Sequence, residues 1–199
     1  MKTALEEIYG PRFFARRHRL NWRAPIVCAA IKEVFEPTSV IDAGCATGDL
    51  VVQFMTMSID AYGIEGSRAA IPYLECPISR IFFYDLRKSL PGPSRRYDLA
   101  ICFEVAEHIE PKHADQFVLN LVSLSGRILM SAAPPGQRGH HHVNCQPPGY
   151  WVNKFWQYGF FRNLGPEERF KAKLSPWARK KGIKAYYENS LYFERSVHD

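Results

Sequence analysis

The chain has 199 residues, of which 46% are hydrophobic and 14% aromatic. This composition indicates a folded globule and excludes an intrinsically disordered chain, and the length suits one α/β domain with a sizeable core. The formal net charge of +6 is concentrated in two basic clusters, which are typical of a solvated surface but can also attract phosphate-bearing partners. The clusters are Arg12, Arg16, Arg17, Arg19 and Arg23, and Arg169, Lys171, Lys173, Arg179, Lys180, Lys181 and Lys184.

The five cysteines are scattered and form no Cys-x-x-Cys pair. This arrangement favours free thiols in a reducing compartment over a disulfide framework or a zinc site. No apolar run approaches the roughly 20 residues of a membrane-spanning helix, and we see no hydrophobic signal core at the amino terminus. We therefore expect a cytoplasmic protein that does not associate with membranes.

The first 36 residues are predicted to be helical. Residues 5–9 carry a partial apolar stripe, which a Gly-Pro pair interrupts. A longer helix is predicted over residues 24–35, where apolar residues recur at helical spacing. Pro37 ends this helix before the first strand.

Residues 39–50 have the order of a strand, a glycine turn and a helix. The apolar strand ends in Asp42, and small residues that include Gly44 and Gly48 lead to a helix that begins near Leu50. Glycines permit a positive φ and let the backbone approach a ligand closely. Such a turn lies at the carboxyl end of the first strand of an open α/β sheet, where nucleotides bind, although a plain tight turn has the same local pattern.

Two further predicted strands also end in an acid. They cover residues 60–65 and 80–85 and end in Glu65 and Asp85; the helix between them must be brief because it contains prolines. In the dinucleotide-binding fold, the acid after the second strand binds the ribose hydroxyls. Three consecutive strands that end in an acid are difficult to explain by packing alone.

These features resemble the ordered motifs of the class I S-adenosylmethionine-dependent methyltransferases. The likeness rests on residues 42–48 (Asp-Ala-Gly-Cys-Ala-Thr-Gly), Glu65, Asp85 and residues 97–109, and it covers roughly residues 35–165. It implies a Rossmann-like α/β fold with seven mostly parallel strands, helices on both faces and an antiparallel last strand. The family's middle glycine is here Ala46, which is tolerable if φ stays negative. A dehydrogenase is less consistent, since the Gly-x-Gly-x-x-Gly spacing is absent.

The resemblance implies S-adenosylmethionine as the cofactor. The residues that it assigns to cofactor binding are Asp42, Gly44, Cys45, Ala46, Gly48, Glu65, Gly66, Asp85, Leu86, Phe103 and Glu104. Within this set, Asp85 and Leu86 stand where the family holds the adenine. In this superfamily the element before the first strand often covers the cofactor, so Tyr9, Arg12 and Phe13 are candidates for a lid, although core packing or a dimer contact can explain each of them.

The rest of the chain is predicted to complete a single domain, 1–199. We divide it into a helical lid (1–36), a cofactor-binding core (37–165) and a basic helical segment with the closing strand (166–199). The remaining predicted elements are strands at 97–103, 126–132, 160–164 and 188–195 and helices at 111–124 and 150–158.

The loop 137–151 contains His140, His141 and His142 in succession. Long loops in compact domains are often functional, and neighbouring histidines suggest proton transfer or metal binding. We expect this loop to form one wall of the acceptor pocket. The nearby aromatic side chains of Tyr150, Trp151 and Trp156 can stack on a sugar or a base, or they can belong to the core.

Methyl transfer from a sulfonium is an in-line displacement, so the protein mainly positions the acceptor and takes up its proton. An oxygen acceptor needs a base, and histidine suits this role near neutral pH. We rank His108 first, with His140, His142 and Glu104 as further catalytic candidates. A hydrogen-bonded loop histidine is an equally good structural explanation of His108.

The segment Glu104-Val105-Ala106-Glu107-His108 also allows a metal hypothesis. If it is helical, Glu104, Glu107 and His108 share one face, and two carboxylates with an imidazole suit Mg²⁺ or Mn²⁺. A histidine of the 140–142 loop could complete this set. The pattern is similar to that of metal-dependent 2′-O-methyltransferases acting on small RNAs and of ubiquinone-pathway O-methyltransferases, and equally to that of many methyltransferases that need no metal.

Three hypotheses on function remain open at this point. The first is an O-methyltransferase for a small polar molecule or glycan, the second an RNA ribose 2′-O-methyltransferase that uses the basic clusters, and the third a non-catalytic cofactor-binding module. Salt-sensitive RNA binding would favour the second.

Overall fold

The computed structural model describes residues 4–92 and 95–196. The outermost residues of the predicted lid and of the predicted closing segment lie outside this range. Seven strands form one sheet, and they are β1 (Ser39–Ala43), β2 (Asp60–Glu65), β3 (Ile81–Phe83), β4 (Leu99–Phe103), β5 (Arg127–Ser131), β6 (Phe160–Arg162) and β7 (Ser190–Arg195).

The sheet has the strand order β3-β2-β1-β4-β5-β7-β6. Strands β1 to β5 pair in parallel, whereas β7 runs antiparallel to both of its neighbours, β5 and β6. The predicted Rossmann-like sheet with an antiparallel last strand is confirmed.

The α-helices are α1 (Ala4–Ile8), α2 (Pro11–His18), α3 (Ala24–Phe35), α4 (Asp49–Thr56), α5 (Ala114–Leu124), α6 (Pro148–Trp156), α7 (Leu164–Leu174) and α8 (Lys184–Asn189). Alternate strand residues face opposite sides of the sheet, so Val40 packs in the cluster with α3, α4 and α7, while its neighbour Ile41 packs with α5 and α6. Both faces of the sheet are thus covered. Among the described residues, each helix is too short or too polar to cross a lipid bilayer.

The observed secondary structure differs from the prediction in two segments that contain proline or glycine. The brief helix expected over 67–79 is a pair of 3₁₀ turns, Arg68–Tyr73 and Ile78–Arg80, because prolines remove backbone donors there. The Gly-Pro pair that interrupts the first helix begins another one, α2, since proline is favoured in a first helical turn.

The third and sixth strands are also shorter than predicted. Strand β3 ends at Phe83, and the chain then turns at Asp85, whose carboxylate accepts a hydrogen bond from the backbone N–H of Arg87 at 3.0 Å. Strand β6 ends at Arg162 because the side chain of Asn163 caps the following helix, α7.

A buried ion pair fixes the amino-terminal segment to the sheet domain. The Arg23 guanidinium lies 3.3 Å from the Asp49 carboxylate, and both side chains are almost completely buried. The guanidinium also lies over the ring of Tyr186, 5.1 Å from its centroid. One charged group therefore joins the turn before α3 to the start of α4 and to α8.

Glu167 ties α7 to the antiparallel end of the sheet. Its buried carboxylate accepts hydrogen bonds from Arg162, from Lys171 and from the backbone N–H of Tyr192. Burial alone would raise the pKa of Glu167, but the bonds from Arg162 and Lys171 lower it overall.

Candidate active site

A cavity of about 550 Å³ opens at the carboxyl ends of β1, β2 and β4, where open α/β sheets bind ligands. Most residues of the predicted cofactor set line it, namely Gly44, Ala46, Glu65, Gly66, Asp85, Leu86, Phe103 and Glu104. The remaining three, Asp42, Cys45 and Gly48, do not.

These three residues lie beneath the cavity and support the turn. A Cβ on Gly48 would lie 2.6 Å from the Cys76 sulfur, and one on Gly63 would lie 2.5 Å from the Cys45 sulfur. Asp42 is buried at the end of β1, and burial raises its pKa to about 8. These three residues therefore do not line the cavity in which a cofactor would bind.

The turn after β1 brings backbone to the cavity wall. Gly44 has a φ of +89°, and a Cβ there would lie 2.4 Å from Val105. Ala46 also has a positive φ, 51°, so the condition of a negative φ that was set for an alanine at this position is not met. The reason is its amide, which must point at Glu65 and donates a 3.0 Å hydrogen bond to that carboxylate.

Glu65 presents a fixed carboxylate at the end of β2. It accepts hydrogen bonds from the backbone N–H groups of Ala46, at 3.0 Å, and Ser67, at 2.8 Å. Burial raises its pKa to about 7 despite these bonds. The neighbouring acid, Asp85, forms an ion pair with Arg87 at 2.8 Å; burial opposes ionisation there, but the bonds from Arg87 lower the pKa of Asp85 overall.

The amino-terminal helices close one side of the cavity. Ser67 Oγ donates a 2.8 Å hydrogen bond to the backbone oxygen of Tyr9, and His140 Nε2 donates one of the same length to the backbone oxygen of Ile8. Tyr9 and Phe13 line the cavity, as does Arg17, whereas the proposed lid residue Arg12 does not.

Two histidines lie beside the amino-terminal wall, where the His108 ring is 5.7 Å from the Tyr9 ring, and both rings bond the backbone through Nδ1. His108 Nδ1 lies 3.0 Å from the backbone oxygen of His141, and His142 Nδ1 lies 3.0 Å from the backbone oxygen of Gln137. A carbonyl oxygen only accepts, so both Nδ1 atoms carry the proton, and both Nε2 atoms keep a free lone pair. The ring centroids are 5.0 Å apart.

The Glu107 carboxyl lies beside these rings and is fully buried. Among the described residues, neither of its oxygens has a hydrogen-bond partner, and His142 Nε2 is 3.9 Å from Oε1. Burial raises the pKa of Glu107 well above its usual range, and the nearby Glu104 carboxylate adds to this. Burial likewise lowers the pKa of His108 to about 4.

The segment 104–108 is not the helix that the metal hypothesis assumed. Glu104 has a φ of 55° and the 3₁₀ turn begins only at Ala106. The Glu104 carboxylate instead accepts hydrogen bonds from Ser131 Oγ, at 2.9 Å, and Gln137 Nε2, at 3.1 Å. The group of ligand atoms within 4.8 Å of one another consists of Glu107, His108 and His142. In this group His142 takes the place predicted for Glu104.

The loop after β5 lines the cavity with Gln137, Arg138, Gly139, His140 and His142. Its backbone is bonded to the 104–108 segment, since the backbone N–H groups of Val143 and Asn144 both donate to the backbone carbonyl oxygen of Glu107. None of the three aromatic candidates for acceptor stacking lines the cavity. Tyr150 packs edge-on against Trp151, with ring centroids 5.0 Å apart. Trp151 is fully buried against Phe117, and Trp156 is 64% exposed on the surface.

Several residues that line the cavity were not named as site residues from the sequence; Arg17 and Tyr186 are two of them, and Gln137 was named only as part of the loop 137–151. Arg17 was assigned to a surface cluster, but the amphipathic α2 turns it inward. Gln137 lies between Glu104 and Asn189 through hydrogen bonds of 3.1 and 3.0 Å. Tyr186 stacks on Phe103 with a centroid distance of 4.4 Å. Of these residues, only Arg17 could have been found from the sequence, because it lies on an amphipathic helix that carries two of the proposed lid residues.

The sequence model of the methyltransferase domain family matches residues 14–129. This match covers more than half of the chain. The chain belongs to the methyltransferase domain family. No curated protein matches the sequence.

Solved structures with the same fold include methyltransferases and also a [4+2]-cyclase, SpnF. DesVI from Streptomyces venezuelae has a TM-score of 0.63 and 12% identity, over 98% of this chain and 100% of that chain. The magnesium protoporphyrin IX methyltransferase ChlM from Synechocystis, solved with bound SAH, has a TM-score of 0.58 and 18% identity, over 96% and 93% of the two chains. The sugar N-methyltransferase KedS8 from Streptoalloteichus has a TM-score of 0.58 and 15% identity, over 71% and 79%.

The predicted resemblance to class I methyltransferases is therefore confirmed, together with the fold that it implied. The family match places this chain among the methyltransferases. The three solved structures are at most 18% identical to it in sequence, so their likeness shows the fold alone.

Proposed function

We propose that this methyltransferase transfers the methyl group of S-adenosylmethionine to a small polar acceptor, a sugar-like molecule being the best match. The observation that carries the proposal is the Glu65 carboxylate, held by two backbone N–H groups at the wall of a 550 Å³ cavity. A carboxylate fixed in this way at the end of the second strand can accept the hydrogen bonds of two ribose hydroxyls. ChlM with its bound SAH and the sugar methyltransferase KedS8 support the choice of cofactor and acceptor class.

The cofactor has a natural orientation in this cavity. Its adenine would lie near Asp85 and Leu86, its ribose on Glu65, and its methionine part against the turn at Gly44, which lines the cavity. The methyl group would then emerge toward Glu104 and the histidines. This assignment keeps the predicted roles of the cavity-lining residues and gives Asp42, Cys45 and Gly48 a supporting role.

The acceptor would lie between the cofactor and the cluster of Glu107, His108 and His142. Methyl transfer breaks the sulfonium S–CH₃ bond and forms the acceptor O–CH₃ bond, while the hydroxyl loses its proton. The two imidazoles and the Glu107 carboxyl line the cavity, so the cluster can take up a proton or bind a cation. His108, ranked first as a base from the sequence, would be a weak one, because its pKa is about 4.

Isothermal titration with SAH, followed by transfer of a labelled methyl group to sugar nucleotides, small phenols and RNA, tests the proposal. We expect SAH to bind and a sugar or another small hydroxyl compound to be methylated. A protein that binds no SAH would overturn the proposal, and a protein that binds SAH but methylates only RNA would replace the acceptor class. A protein that binds SAH and methylates nothing would favour the non-catalytic alternative.

The RNA alternative rests on the two basic clusters and on the Glu-x-x-Glu-His pattern at 104–108, and we do not propose it. A cytoplasmic location remains part of the proposal and is supported by the five cysteines, all of which are free thiols.

A further inference from the structure

The buried carboxyl of Glu107 is not explained by packing. Its side chain is 0% exposed, and among the described residues neither oxygen accepts a hydrogen bond. Buried polar groups in native proteins nearly always have a partner, and a buried carboxylate without one is costly. The charge of Glu107 therefore requires a proton or a cation beside it.

The two imidazoles that face this carboxyl are oriented as metal ligands usually are. Each Nδ1–H donates to a backbone carbonyl at 3.0 Å, which fixes the ring and its tautomer and leaves Nε2 as an acceptor. The carbonyls belong to His141 and Gln137, so the same loop that contributes His142 also orients His108. A proton on the Glu107 carboxyl would satisfy only one of the two imidazoles, whereas a cation between the three groups would satisfy all of them.

We propose that Glu107, His108 and His142 bind one divalent first-row transition-metal cation, a role that rests on the proposed function of the same cavity. One ligand atom from each residue lies within 4.8 Å of the other two, a spacing from which small side-chain movements reach coordination distances. All three residues line the cavity, so water or the acceptor can occupy the open coordination positions.

The ligand set selects the kind of cation. The sequence pattern suggested two carboxylates and one imidazole, which suits Mg²⁺, but the observed group has one carboxylate and two imidazoles. Imidazole nitrogen suits Fe²⁺, Ni²⁺, Cu²⁺ and Zn²⁺ better than Mg²⁺. Glu104 is kept out of the group by its hydrogen bonds to Ser131 and Gln137.

The cation would supply Lewis acidity to the methyl transfer. An acceptor hydroxyl bound at an open position has a lowered pKa and releases its proton to water. The resulting alkoxide oxygen forms a bond to the methyl carbon as the S–CH₃ bond breaks, and neutral S-adenosylhomocysteine leaves. This removes the need for His108 to act as a base.

Titration of the whole chain with Mn²⁺, followed by electron paramagnetic resonance of the free ion, tests the site directly. We expect wild-type protein to bind one Mn²⁺, and Glu107→Gln and His142→Ala each to bind it at least tenfold more weakly. Glu110→Gln and His140→Ala are matched controls that remove a carboxylate, 42% exposed, and an imidazole outside the group, and they should bind Mn²⁺ like the parent. Circular dichroism of each variant shows that it is folded.

Two results would overturn the site. One is a wild-type protein that binds no Mn²⁺ at millimolar concentration, which would mean that Glu107 is protonated instead. The other is Glu104→Gln losing Mn²⁺ affinity while Glu107→Gln keeps it, which would restore the sequence-based ligand set. SAH titration of the same wild-type sample separates the two proposals, because SAH binding without Mn²⁺ binding refutes only the metal site.

Discussion

The ability of Glu65 to bind a ribose should depend on pH. Its carboxylate is held for hydrogen bonding, but burial raises its pKa to about 7, so at lower pH it is protonated and can no longer accept two bonds from a ribose. We expect SAH affinity to increase as the pH rises from 6 to 8. Calorimetry at several pH values measures this directly.

Glu65→Gln should weaken SAH binding by about 1–3 kcal/mol, the usual range for hydrogen bonds to a charged group, and should abolish the pH dependence. Asp85→Asn is the control. The pKa of Asp85 lies below its ordinary value, so this variant should keep the pH dependence whatever its affinity. An unchanged affinity of Glu65→Gln would remove Glu65 from the cofactor site.

At the residue scale, the sequence predicts that Glu65 and Asp85 reach the cavity. Both acids are recognisable at the end of a strand pattern, although β3 itself ends at Phe83, two residues before Asp85. Backbone conformation is the weak point. Ala46 and Glu104 both have a positive φ, which non-glycine residues rarely adopt, and nothing in their residue type indicates it. The unmet condition at Ala46 and the wrong helix at 104–108 have this common cause.

At the scale of elements, the Arg23–Asp49 ion pair should be the strongest single polar connection of the amino-terminal helices. Replacing one partner leaves the other buried and unpaired, which typically costs about 3–5 kcal/mol. We expect Arg23→Met and Asp49→Asn each to lower the free energy of unfolding by this order. Urea denaturation followed by circular dichroism measures it.

The exposed ion pair of Arg80 and Asp60 is the matched control. Their side chains are 30% and 41% exposed, and such surface pairs contribute about 0–1 kcal/mol, so Asp60→Asn should have little effect. If Arg23→Met destabilises the protein no more than Asp60→Asn does, the buried pair is not the connection that we describe.

Elements with a clear hydrophobic period were predicted closely, as α3 and β4 show. Both are apolar over a length that distinguishes helix from strand. The prediction failed where short-range rules compete, in the proline-containing stretch 67–80 and at the Gly-Pro pair before α2. A proline both ends one element and begins another, and a single sequence does not tell which.

At the scale of the whole molecule, the cavity wall combines distant parts of the chain. Tyr9 and Arg17 come from the amino-terminal helices, and Tyr186 comes from α8. A cofactor that touches both parts should restrain the amino-terminal segment. We expect SAH to slow amide hydrogen exchange over residues 5–20 and to leave α6 unchanged.

His140→Ala should reduce this protection, since His140 donates to the Ile8 carbonyl and so links the loop after β5 to the amino-terminal segment. Equal exchange with and without SAH would show that this segment is a fixed wall and not a lid. The sequence suggested a covering segment, but the contact of His140 with Ile8 joins residues 132 positions apart, and no local pattern predicts such a contact.

Cys145 has a practical consequence for labelling chemistry. The other four thiols are buried, whereas Cys145 is half-buried, with its sulfur 3.6 Å from His142 Nδ1. Iodoacetamide should therefore modify Cys145 first, slowly at neutral pH because burial raises the pKa of this thiol. Mass spectrometry should find one adduct, which Cys145→Ser abolishes; early adducts at several cysteines would contradict this. A fluorine-bearing reagent would then place a single nuclear magnetic resonance reporter beside the His142 ring, through which acceptor binding can be followed without isotopic labelling of the protein.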